Sequence, residues 1–140
     1  LDPSSPKTKL ILAMGLSVGL LLAGALIMAA PLPLISAVTL AELSVGPLVA
    51  TSDRERVRRT AQVQQAEADF EPIPFDAPAA RAFGHVAASL RRSGRKPAAR
   101  AYDALIAATA IANGLPLYTC NPGDFADIDG LDIHVVPVPD

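Results

Sequence analysis

The sequence predicts an α/β fold: a parallel sheet of about four to five short strands flanked by helices, preceded by an apolar helix. Three observations predict it. Segments with helical spacing alternate with short β-branched runs, the pattern that lays helices over a parallel sheet. Capping residues, glycines and prolines separate these segments. A charge-free stretch from Leu10 to Ala30 precedes them all.

Leu10–Ala30 contains no proline and no charge, and its softest members are Gly15, Ser17, Gly19 and Gly24. A helix of that length spans about 30 Å, the thickness of a bilayer core. The expectation is a transmembrane helix, with a signal peptide or a buried helix as the alternatives. The chain then divides into an apolar segment, 1–31, and a folded domain, 32–140. The opening residue is Leu1 and not Met, so further residues are expected upstream.

Within the domain, Leu34 to Thr39 reads as a strand and a helix follows from about Leu40, ending near Gly46-Pro47. Thr51 or Ser52 caps a second helix that runs to about Ala68, with Asp53 and Glu55 in its first turn. Phe70 to Phe75 carries two prolines and can be at best an edge strand. Asp76 caps the next helix, which has Pro78 in its first turn and Phe83, Val86, Ala87 and Leu90 at helical spacing. Ser93–Arg100 is a basic loop. A helix runs from about Ala99 to Asn113 and Gly114 stops it. Leu117–Thr119 is a strand, Asn121–Gly130 a loop with a helical turn, and Ile133–Val138 the last strand.

The composition narrows the class. At 140 residues there is room for one domain of ordinary size. A net charge of −2 carries no global signal for nucleic acid, so any such surface is local. Cys120 is the only cysteine, which excludes a disulfide-stapled scaffold and fits a reducing compartment.

Three carboxylates fall at the ends of separate elements. Glu42 follows the strand 34–39, Asp103 opens an apolar helix, and Asp124 follows the strand 117–119. Parallel sheets bind ligands at the carboxyl ends of their strands, so neighbouring strands would bring the three together. Hard oxygen donors suit Mg²⁺ or Mn²⁺ and not Zn²⁺. Such an ion activates water and stabilises charge on a phosphodiester. Each acid also has a plainer reading: a helix-start charge for Asp103, a solvated first-turn glutamate for Glu42, a loop cap for Asp124. Arg91, Arg92, Arg95, Lys96 and Arg100 form the densest basic cluster. The first four are candidates to hold an RNA backbone, beside the reading of an ordinary solvated loop. His85, His134 and Cys120 read as structural.

Three segments carry a resemblance: Ile35-Ser36-Ala37-Val38-Thr39-Leu40-Ala41-Glu42-Leu43, then Asp103-Ala104-Leu105-Ile106-Ala107-Ala108-Thr109-Ala110, then Thr119-Cys120-Asn121-Pro122-Gly123-Asp124-Phe125. In order and spacing they resemble the PIN-domain ribonucleases, in particular the VapC-type toxins of bacterial toxin–antitoxin pairs, over roughly residues 34–138. The resemblance implies a parallel sheet of about five strands and Mg²⁺- or Mn²⁺-dependent cleavage of RNA. It places Glu42, Asp103 and Asp124 on three of the family's four acidic positions. The family opens with an apolar strand ending in Asp-Thr-Ser or Asp-Thr-Asn. Here Leu1-Asp2-Pro3-Ser4-Ser5 is the only candidate for that position.

The resulting expectation is a metal-dependent endoribonuclease, the toxin of a toxin–antitoxin pair, with RNA as substrate and a small antitoxin protein as partner. A homodimer is a further expectation. Its catalytic domain is expected in the cytoplasm, anchored to the membrane through residues 10–30. Lys7 and Lys9 alone would instead export the domain. The alternative is a catalytically degenerate, membrane-tethered PIN-like module that binds protein.

Overall fold

A computed structural model describes residues 10–13 and 33–137. Four short strands form one sheet: β1 (Leu10–Ala13), β2 (Pro33–Leu34), β3 (Leu117–Thr119) and β4 (Ile133–Val135). Their order is β2-β1-β3-β4 and every neighbouring pair is parallel. Leu10 lies opposite Pro33, Ile11 opposite Leu117, and Leu117 opposite Ile133. The helices are α1 (Ala37–Leu48), α2 (Asp53–Asp69), α3 (Ala77–Arg92) and α4 (Ala101–Ala112), with 3₁₀ turns at Pro97–Arg100 and Pro122–Phe125.

The predicted apolar helix is corrected at its start. Leu10–Ala13 is a strand in the interior of the sheet, paired on both sides. A run of Leu and Ile with no charge satisfies a strand buried on both faces as well as it satisfies a membrane helix, and periodicity alone does not separate them. The rest of the predicted helix, residues 14–30, lies outside the described residues, as does Asp2. Among the described residues, no helix is long and apolar enough to cross a membrane.

A second correction concerns the strand expected over 34–39. β2 ends at Leu34, and α1 begins at Ala37, not Leu40. Ser36 ends the extended run because its Oγ accepts the Thr39 N–H at 2.9 Å, an N-cap that outweighs the β preference of Val38 and Thr39. The Phe70–Phe75 segment does pair as an edge. The Ile73 N–H donates to the Ile35 carbonyl and the Ala37 N–H to that of Ile73, each at 2.8 Å. The last strand stops at Val135, short of the expected Val138.

The remaining helices start where their caps stand. Ser52 accepts the Glu55 N–H, and Asp76 accepts the Ala79 N–H. Gly114, with φ of 61°, turns the chain out of α4.

Side chains of β3 alternate between two cores. Leu117 packs with Val86 and Leu90 of α3, Ala104, Ile106, Ala107, Ala108 and Ala110 of α4, and Phe125 and Ile128 beyond β3. Tyr118 packs on the other cluster, Ile35, Ala66 and Phe70, with Leu40 and Leu43 of α1. Small alanines on both helices let α3 and α4 approach closely.

Candidate metal centre

Each acidic residue reaches the site by a local feature of sequence. The Ser36 cap fixes the first turn of α1, and Glu42 lies on the next turn. The Thr39 hydroxyl lies 2.9 Å from Ser36 Oγ, and both residues are fully buried, so the start of α1 is pinned. Asp103 occupies the first turn of α4, where a carboxylate is favoured by the helix dipole. Asp124 lies in the Pro122–Phe125 turn, which the buried Phe125 anchors to the core.

The structure brings the three acids into electrostatic contact. Partial burial pushes Glu42 up to about 7, and the neighbouring Asp103 carboxylate adds to the rise. Asp103 is itself raised, first by burial and then by Asp124, against an opposing pull from Arg100. The chain of influence runs Glu42, Asp103, Asp124, as three like charges drawn toward one place require. β2 and β3 are not neighbours, because β1 lies between them.

The carboxylates do not close around a single point. Among the described residues, no three His, Cys, Asp or Glu side chains are close enough to cage an ion. The cation among them is the Arg100 guanidinium. Its Nη1 donates to Asp124 Oδ1 at 2.6 Å and lies 4.0 Å from Asp103 Oδ2. The donor set is therefore right for a hard divalent cation, and a positive group already rests on it.

The basic segment is tied to the acidic loop. Arg92 pairs with Asp129 at 2.5 Å and Arg95 with Asp127 at 2.9 Å. Arg95 also donates to the Gly123 carbonyl at 3.0 Å. Together with Arg100 on Asp124, these pairs hold the segment 92–100 against the loop 123–129. Of the predicted RNA contacts, Arg91 and Lys96 are exposed, and neither pairs with a described residue. Sequence reasoning placed Arg100 in the basic cluster but missed its part in the site. The signal available was its i, i+3 spacing from Asp103 across a helix start.

Residues 19–131 match the PIN domain. The chain belongs to the PIN-domain family. Its relatives include the Mycobacterium tuberculosis protein named ribonuclease VapC5, 42% identical over 93 residues, which are 66% of each chain. Ribonuclease VapC4 of the same organism is 33% identical over 104 residues, 74% of this chain and 75% of that protein. The crystal structure of VapBC-5, a toxin–antitoxin system of M. tuberculosis, superposes with a TM-score of 0.73 at 32% identity, covering 94% of this chain and 99% of that one. The family's sheet-and-helix architecture is the one described above. Within this PIN domain, Glu42, Asp103 and Asp124 are the carboxylates that the fold draws together.

Proposed function

We propose that this PIN domain is a metal-dependent endoribonuclease of the VapC type, the toxin of a pair whose antitoxin is a small protein. The observation that carries the reading is the electrostatic coupling of Glu42, Asp103 and Asp124 at the end of a parallel sheet. The ribonuclease names of its relatives, and the toxin–antitoxin character of the similar structure, support the same reading.

The residues present fit Mg²⁺ or Mn²⁺ by donor chemistry, and the seated guanidinium marks the place as one that favours positive charge. A divalent cation there supplies stabilisation of phosphodiester charge and a lowered pKa for attacking water. Burial and like charge hold Glu42 and Asp103 above the usual carboxylate range, and only Asp103 is partly relieved, by Arg100. A divalent cation bound there would offset the repulsion between the two carboxylates, in competition with the proton. Asp103 is central because it couples to both other acids. Arg91 and Lys96, exposed in the basic segment and paired with no described residue, are the side chains of that segment that would hold the RNA backbone.

Asp103→Asn tests the reading, since Asn keeps the shape and loses the charge. RNA cleavage should disappear, Mn²⁺ binding should weaken, and circular dichroism should stay the same. Cleavage at the wild-type rate in the variant removes Asp103 from the site.

A second reading is a catalytically degenerate module that binds protein. It is favoured by the central strand: β1 ends at Ala13, and no Asp or Glu occurs from Pro3 to Ala41. A full chain that neither binds Mn²⁺ nor cleaves RNA selects this second reading.

A further inference from the structure

We propose that Arg100 is a built-in counter-ion that competes with the divalent cation for Asp124, so that loading the site requires this guanidinium to leave the carboxylate. The inference rests on the metal-dependent reading above.

Three observations carry it. First, the geometry is that of occupancy. Nη1 of Arg100 is 2.6 Å from Asp124 Oδ1 and 4.0 Å from Asp103 Oδ2, so one charge addresses two of the three acids. A carboxylate oxygen given to a short charge-assisted bond is not free for a cation.

Second, Arg100 is not needed to hold the loop that carries Asp124. Phe125 and Ile128 are buried in the core at 3% and 7% exposure. Arg95 grips the Gly123 carbonyl and Asp127, and Arg92 grips Asp129. Removing Arg100 therefore frees the carboxylate while the backbone beneath it stays in place. If Arg100 were the only anchor, the same contact would mean positioning and not competition.

Third, Arg100 is able to leave. Its side chain is 35% exposed and that of Asp124 is 42% exposed, so the guanidinium can move into solvent. It stands at the junction of the Pro97–Arg100 turn and α4. A pair that exposed is worth little in isolation, which makes it a displaceable occupant.

The test is Mn²⁺ binding to the full chain by calorimetry, with Arg100→Gln beside the wild type. The variant should bind Mn²⁺ about two- to fivefold tighter, the factor for removing one partly exposed ion pair. Arg100→Lys, which keeps the charge, should stay near the wild type. In an Asp124→Asn background, Arg100→Gln should bring a clearly smaller gain, because only the longer contact with Asp103 then remains. A folded Arg100→Gln that binds Mn²⁺ equally or more weakly overturns the proposal. A measurement on the wild type avoids any folding defect. In a Mg²⁺ titration followed by arginine side-chain NMR, the Arg100 signals should move in step with saturation while those of Arg92 stay. Arg100 signals unmoved at saturating Mg²⁺ also overturn it. If Mn²⁺ binds but is indifferent to Arg100, only this inference fails. If no variant binds Mn²⁺, the metal-dependent reading falls with it.

Discussion

Ser36→Ala perturbs the contact that starts α1 and so places Glu42. The serine does two things at once. Its Oγ caps α1 by accepting the Thr39 N–H, and it pairs with the Thr39 hydroxyl, each at 2.9 Å. Both residues are fully buried, and among the described residues every buried side-chain polar atom has a partner. Losing an N-cap costs about 1 kcal/mol. Leaving the Thr39 hydroxyl buried without its partner costs about 1–3 kcal/mol more. The sum is a loss of about 2–4 kcal/mol, which for a domain of this size lowers Tm by roughly 6–15 °C. Urea unfolding followed by far-UV circular dichroism measures it directly. The double variant Ser36→Ala/Thr39→Val should recover part of the loss, because only the cap is then missing. Mn²⁺ affinity should fall in the single variant as the first turn of α1 frays. A single variant within about 0.5 kcal/mol of wild type, or a double variant less stable than the single, refutes the account of the buried pair.

Four further outcomes are expected. Glu42 has a folded-state value of about 7 against an ordinary 4.5, so the folded protein holds its proton more tightly than the unfolded chain. Its contribution to stability is present in full below about pH 4.5 and is lost as pH rises through about 7. Metal-free protein should therefore weaken between those limits, and Glu42→Gln should flatten the decline in a Tm-against-pH series. Leu90, only 1% exposed between α3 and α4, should cost about 2–5 kcal/mol when cut to alanine, read by urea midpoint. Arg91→Glu with Lys96→Glu should reduce the log–log salt slope of RNA binding by roughly 0.7 for each phosphate no longer neutralised, with Mn²⁺ affinity unchanged. Arg92→Glu and Arg95→Glu should instead loosen the loop of Asp124 and weaken Mn²⁺ binding.

Much of the fold was legible in residue order. The caps Ser52 and Asp76, the stop at Gly114 and the strand Leu117–Thr119 all lie where local chemistry puts them, because each depends on neighbours within a few residues. The three acids were legible as candidates from their places at element ends and from their resemblance to the family. Their coupling was not, since Glu42 and Asp103 are separated by most of the domain. Tertiary pairing alone decided that Leu10–Ala13 is a central strand, because a short apolar run suits a strand or a helix until a partner claims its backbone groups. It also decided that Arg92, Arg95 and Arg100 turn onto the acidic loop. In sequence a cluster of arginines reads as a solvated surface, and whether a charge faces solvent or a carboxylate is set by long-range packing.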